Sequence, residues 1–315
     1  MRRLFAVVPV LALACGEPSA VGPLDQRAIA PAAPAADLGM QVVGPEIVIP
    51  AGQEQMICWV PDLPADVVDR LIKRFETVQG ASGHHLVAMK SMIPRAPGEV
   101  FDCTTANNMA TIQPLLTSNT ENKEGTLNLL TDDFAVRIPA GTQLVMQSHY
   151  VNVEVSDIVI RDVGTFTYLP ADEQRIEASY MAINDSSLRI PANNERYSHS
   201  TDCIIDQPMQ FAALLGHMHE WGQRIVVEKI SPVGTSTIYS TIYEVAHWSA
   251  QFRDAPPVTH LPLAEPLTAD EGDILRVTCE WQNDTGEELT FPKEMCDALF
   301  LYYPARPEGF LVCGS

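Results

Sequence analysis

Gln143-Leu144-Val145-Met146-Gln147-Ser148-His149-Tyr150-Val151 is a short, mostly apolar run preceded by the turn signal Ile138-Pro139-Ala140-Gly141-Thr142. It reads as a β-strand with polar residues set into it. Runs of the same kind recur along the chain: Glu46-Ile47-Val48-Ile49-Pro50, Ile158-Val159-Ile160, Arg224-Ile225-Val226-Val227-Glu228, Ser236-Thr237-Ile238-Tyr239 and Asp273-Ile274-Leu275-Arg276-Val277-Thr278. Short strands separated by turns at this spacing belong to sandwiches or barrels. Twenty-four prolines favour a loop-rich chain over a helical one. One helix is expected over Ala65 to Thr77, where Val67, Val68, Leu71, Ile72 and Phe75 recur at helical spacing. The fold class is therefore all-β.

The turn before the 143–151 run has a counterpart in Ala269-Asp270-Glu271-Gly272-Asp273-Ile274-Leu275. With 315 residues the chain has room for two domains, dividing near Tyr168-Leu169-Pro170-Ala171-Asp172. The expected layout is a leader over 1–15, an Ala/Pro-rich tether over 16–39, a first sandwich over 40–168 and a second over 169–315. The tether contains Ala30-Pro31-Ala32-Ala33-Pro34-Ala35-Ala36, a flexible or polyproline-like composition.

Twenty Lys and Arg against forty Asp and Glu give a formal net charge of -20. That excludes nucleic acid, whose binding needs a cationic face to release phosphate counterions, and polybasic docking to anionic lipid. A 46% hydrophobic content with 19% charged residues is that of a folded protein. Arg2-Arg3 followed by apolar Leu4 to Ala14 reads as an export signal too short to span a bilayer. Leu13-Ala14-Cys15-Gly16 looks like a bacterial lipobox, in which Cys15 is lipidated and anchors the exported protein to a membrane. Six further cysteines, Cys58, Cys103, Cys203, Cys279, Cys296 and Cys313, then imply three disulfides, with fifteen pairings open.

Among eight histidines, Gly216-His217-Met218-His219 places two imidazoles at i and i+2, on one face if the segment is a strand. Such a pair fits zinc, copper or iron. His84 and His85 are adjacent, so both reach one metal only at a bend, which Gly83 would help to form. His149 is a third candidate, mid-strand. Met295, next to Cys296, offers a thioether, and a thioether with two imidazoles prefers copper, Cu(I) above all. His199, His247 and His260 read as structural or surface residues.

Taken together, the paired His84-His85, the Gln147-Ser148-His149-Tyr150 strand, His217-Met218-His219-Glu220-Trp221-Gly222, Gly272-Asp273-Ile274-Leu275 and Glu294-Met295-Cys296 resemble the copper type II, ascorbate-dependent monooxygenases. This family includes peptidylglycine α-hydroxylating monooxygenase and dopamine β-monooxygenase. The resemblance runs from about Met40 to Cys313. It implies two jelly-roll sandwiches facing each other across a cleft and two coppers per chain. One copper would sit on His84, His85 and His149, the other on His217, His219 and Met295. Gln147 matches a glutamine lying between the sites. The disulfides implied are Cys58–Cys103, Cys203–Cys313 and Cys279–Cys296.

The activity implied is hydroxylation of a substrate C–H bond with O2 and ascorbate or another one-electron donor. The peptide-amidating member has an arginine two residues before its His-x-His pair, which grips a substrate carboxylate; Leu215 stands there in this chain. Leu299 replaces a family tyrosine and Asp297 an asparagine. A small apolar or cationic substrate is therefore expected. The alternative is a non-catalytic copper protein for storage, delivery or sensing on the same scaffold. Zinc-dependent hydrolysis is a third, for which no His-Glu-x-x-His or carboxylate-rich ligand set appears.

Overall fold

A computed structural model describes residues 22–63, 69–116, 129–253, 255–291 and 293–314. The leader and Cys15 lie outside the described residues. The N-terminal half carries β1 (Leu24–Arg27), β2 (Gly39–Val43), β3 (Ile47–Ile49), β4 (Glu54–Trp59), β5 (Arg70–Val78) and β6 (Gly83–Ser91). After these come β7 (Val100–Asp102), a single helical turn α1 (Ala106–Met109), β8 (Ile112–Leu116), β9 (Phe134–Ile138), β10 (Leu144–Val151), β11 (Ile158–Arg161) and β12 (Val163–Tyr168). The C-terminal half carries β13 (Ile176–Asn184), β14 (Arg189–Ile190), β15 (Arg196–Ile204), β16 (Met209–His217), β17 (Gly222–Val233) and β18 (Ser236–Val245). A 3-10 turn (Ala250–Phe252) precedes β19 (Val258–His260), β20 (Leu267–Ala269), β21 (Ile274–Gln282), β22 (Leu289–Thr290), β23 (Asp297–Tyr303) and β24 (Leu311–Gly314). The chain is all-β, and each strand run read from the sequence lies in a strand.

In the N-terminal half a five-stranded sheet in the order β7-β4-β10-β6-β8 faces part of a long sheet ordered β19-β16-β23-β13-β9-β5-β12-β2. That long sheet crosses the midpoint of the chain, because β13 pairs parallel with β9, Ile176 opposite Phe134. In the C-terminal half its other face packs on the sheet β15-β21-β17-β18. Strand alternation splits the shared sheet between two cores. Met181, Phe211, Leu214, Phe300 and Tyr302 join Val227, Val277 and Trp281 on one side. Tyr180, Ala213, Leu215, Leu301 and Tyr303 join Trp59, Phe134, Met146 and Phe166 of the N-terminal half on the other.

The cysteines form Cys58–Cys103, Cys203–Cys313 and Cys279–Cys296, the pairing the resemblance implied. Among the described residues no helix is long and apolar enough to cross a membrane.

Two expectations are corrected. Residues 70–77 form β5 instead of a helix, while 64–68 lie outside the described residues. Phe166 pairs with Phe75 and Thr167 with Arg74, but Tyr168 pairs with Ile72, leaving Lys73 as a bulge. The extra residue puts Ile72 and Phe75 on one buried face three positions apart, which mimics helical spacing. The Ala/Pro-rich segment is not a free tether throughout. Leu24–Arg27 adds as β1 in parallel to β11, Arg27 bonds Asp25 and Glu46, and Gln26 accepts the Ser82 N–H at 2.9 Å.

The two halves repeat one frame. β10 lies between β4 and β6, and β21 between β15 and β17. Just after each central strand comes an asparagine. The Asn152 amide donates to the carbonyls of Ile49, Pro50 and Ser156 while its oxygen accepts the Glu154 N–H. The Asn283 amide donates to Ile190, Pro191 and Glu287 while its oxygen accepts the Thr285 N–H.

Candidate metal centres

His149 and His85 stand opposite each other on the antiparallel pair β10 and β6. One residue further the register slips, so that Tyr150 faces Gly83 and His84 is left as a bulge. Neighbours on a regular strand point to opposite faces. The bulge removes that constraint and brings both rings to His149, with centroids 5.0 Å away for His84 and 4.9 Å for His85. Gly83 is required at this bend, because a Cβ would lie 2.7 Å from Gln79 Cβ. The loop before it is fixed by the Gly80 N–H on Tyr150 Oη at 3.1 Å. His149 itself is 2% exposed, and its Nε2 lies 2.8 Å from Glu54 Oε1.

His217 ends β16 opposite Asp297 of β23, and His219 follows in the turn that leads to β17. Their Nε2 atoms are 3.1 Å apart. His219 Nδ1 is 3.1 Å from the Lys293 carbonyl, which only accepts, so Nδ1 carries the proton and Nε2 the lone pair. Met295 lies just before β23 and lines the same cavity as both rings.

The Glu294 carboxylate, 0% exposed, ties this site together. It accepts the backbone N–H of His219 at 2.5 Å, of Met295 at 3.1 Å and of Trp221 at 3.2 Å. Burial pushes its carboxyl up to about 7, against the pull of those three donors. The Cys279–Cys296 bridge fixes the residue after Met295 to β21. In the sequence Glu294 stands out only as part of the Glu294-Met295-Cys296 motif. Its place next to a cysteine-anchored segment is the sequence feature that goes with burial, and a buried carboxylate needs several partners.

Between the two histidine groups lies a cavity of about 260 Å³. His85 and His149 line it from the N-terminal half, and His217, His219 and Met295 from the C-terminal half. Gln147 also lines it, on the same face of β10 as His149 two residues on. The remaining wall is largely apolar, with Met56, Val87, Met89, Met109 and the cross-strand pair Leu215 and Leu299 of β16 and β23, and it also carries Glu54 and Arg253. Asp297 is a polar member of this wall, its carboxyl pushed up to about 7 by burial and then by Glu294. His199, outside the cavity, bonds Asp185 at 2.7 Å.

Among the described residues no group of three or more His, Cys, Asp or Glu side chains is gathered closely enough to hold a metal ion. The N-terminal trio is thus a cluster of neighbouring rings, not a closed ligand cage. The C-terminal donors fit a metal more directly. Two nitrogens about 2.0–2.1 Å from one ion and about 90–110° apart are about 3 Å from each other, the separation His217 and His219 show. A thioether as third donor selects a soft ion such as Cu(I).

No curated protein matches the chain. Among solved structures, that of the infectious bursal disease virus Gx strain is similar over 88% of this chain and 74% of its own, at 10% identity and a TM-score of 0.20. A likeness that weak carries no argument. Residues 177–315 match the family model for the copper type II ascorbate-dependent monooxygenase, C-terminal domain. His217, His219, Glu294 and Met295 all lie inside that span, so the C-terminal part of the chain is similar to that C-terminal domain.

Proposed function

We propose that the chain is an exported dicopper monooxygenase that hydroxylates a C–H bond of a small organic substrate, using O2 and a one-electron donor such as ascorbate. Its two domains are residues 40–168 and 169–315. His84, His85 and His149 hold one copper, and His217, His219 and Met295 the other. The observation that carries this reading is one cavity lined by members of both groups and by Gln147.

Copper in the two sites supplies one-electron transfer and O2 activation. The chain supplies the rest. Leu215, Leu299 and the methionine wall bind an apolar substrate body and exclude water from the space between the sites. No arginine stands at position 215 to pair with a substrate carboxylate, and burying an unpaired carboxylate costs about 2–5 kcal/mol. The substrate is therefore neutral or cationic; Asp297 and Glu54 are acidic members of the cavity lining, and the lining's Arg253 is held by Glu54 and Glu220. Gln147 presents an amide that orients polar groups or water in the cavity. The Lys293 carbonyl and Glu294 fix the tautomer and position of His219.

Three disulfides suit an oxidising, extracytoplasmic compartment. We extend this to a lipid anchor at Cys15, with attachment to a membrane through that lipid alone.

The test is metal analysis of the mature protein, with ascorbate-driven O2 uptake measured across neutral, cationic and carboxylate-bearing substrates. Two coppers per chain and uptake abolished by Met295→Ala are expected, with carboxylates the poorest substrates. Stoichiometric zinc would overturn the reading. Tight copper binding with no uptake on any substrate would replace it with storage, delivery or sensing.

A further inference from the structure

The His149 ring is held by more than its strand. Its Nε2 meets Glu54 Oε1 at 2.8 Å, and a carboxylate only accepts. Nε2 therefore carries the ring proton and Nδ1 the lone pair. Glu54 is gripped in turn by Arg253, whose Nη1 lies 3.1 Å from Oε1 and 3.3 Å from Oε2, across 199 positions of chain. The same Nη1 also pairs with Glu220, the residue after His219. Arg253 follows the 3-10 turn Ala250–Phe252, donating its N–H to the Ala250 carbonyl at 3.1 Å. Phe252 packs on Trp248 with centroids 5.7 Å apart, and Trp248 Nε1 donates to the His219 carbonyl at 2.8 Å. An unbroken set of contacts thus runs from His219 through Trp248, Phe252, Arg253 and Glu54 to His149, and His219, Arg253, Glu54 and His149 line the cavity.

We propose that Glu54 and Arg253 are positioning residues for the N-terminal metal site: Arg253 reaches over from the C-terminal half to Glu54 of β4, and Glu54 fixes His149 with Nδ1 as its ligating nitrogen. The proposal rests on the dicopper reading. It makes the N-terminal site incomplete without the C-terminal half, although all three of its histidines lie between residues 84 and 149. The arrangement is carboxylate–histidine–metal, in which the outer partner sets tautomer and ring orientation; losing it typically weakens metal binding about 10–100-fold.

Four full-length mature variants test this: Glu54→Ala, Glu54→Gln, Arg253→Met and Arg253→Lys. Two readouts are independent of turnover. One is the His149 tautomer in the copper-free protein, from long-range 15N–1H correlation of the imidazoles. The other is Cu(I) affinity at each site by chelator competition, with the Met295 site recognised by its Cu–S signature in X-ray absorption.

Glu54→Ala should mix the His149 tautomers and weaken the N-terminal site about 10–100-fold, leaving the Cu–S site within about twofold. Glu54→Gln keeps an acceptor for Nε2–H, so it should hold the tautomer and weaken the site less. Arg253→Met should resemble Glu54→Gln, and Arg253→Lys should recover wild-type affinity. An unchanged tautomer and affinity in Glu54→Ala would overturn the proposal and leave the dicopper reading standing. Equal weakening of both sites would also overturn it, since that marks general destabilisation. A wild-type protein with no copper at the histidine trio would overturn the reading and the proposal together.

Discussion

The halves of this molecule share a frame and use it in opposite ways. In the first, candidate ligands sit on the frame itself: His149 on β10, His84 and His85 at the start of β6. In the second, the position three residues before the buried asparagine, equivalent to His149, is Glu280, which pairs with Arg196 and Arg224 at the surface. Its candidate ligands lie outside the frame, at the end of β16, in the turn beyond and ahead of β23. Ladder hydrogen bonds and one bulge stiffen the first group. A turn has no ladder, and the second group is held instead by a buried carboxylate and a covalent bridge. One architecture can therefore present candidate ligands on its strands or on its connections, provided the connections are cross-linked.

Glu294→Ala breaks that contrast most strongly. It strands three buried N–H donors at about 1–3 kcal/mol each, partly offset by relief of the desolvated carboxylate. We expect a net loss of about 3–5 kcal/mol by denaturant titration, with the Met295 site lost and the histidine trio retained in the folded fraction.

The disulfides should give opposite orders in two measurements. Replacing Cys58 and Cys103, 45 residues apart, should cost about 4 kcal/mol, and Cys279 and Cys296, 17 apart, about 3 kcal/mol, following loop-closure entropy. Copper bound through sulfur should nevertheless fall mainly in the second pair, which frees the residue next to Met295.

Asn152→Ala and Asn283→Ala sharpen the likeness. Each removes a side chain that satisfies three carbonyls and one N–H, and each should cost about 2–3 kcal/mol. Losses differing by more than about 2 kcal/mol would show that the frames are not energetically equivalent.

His84→Ala should change stability least, by less than about 1 kcal/mol, because the ring sits on a bulge rather than within the paired ladder. It should still reduce copper at the trio while sparing the Cu–S site, as read by metal analysis and X-ray absorption.

Much of this was legible in the sequence, since alternation and turn residues act over a few positions. The paired turns before Leu144 and Leu275 mark equivalent strands, and the strand runs fall where their composition puts them. What failed to show was register. Nothing around Lys73 announces an extra residue, so a bulged strand read as a helix. The bulge at His84 was visible only as a need for a bend near Gly83. Glu54 and Arg253 were silent for another reason: each is an ordinary charged residue until the fold brings positions 199 apart into contact. The Leu24–Arg27 strand hid inside an Ala/Pro-rich composition because its parallel pairing is recruited from β11.

The parallel seam between β9 and β13 governs how the protein can be taken apart. A break in the 169–175 link would leave each fragment with a raw strand margin, an open template for pairing with other chains. It would also bare the apolar wall of Tyr180, Ala213, Leu215 and Leu301. The halves are thus poor currency for domain shuffling: a gene fragment encoding either one would yield a sticky product. Melting should pass through one cooperative step, with neither half surviving as a soluble remnant.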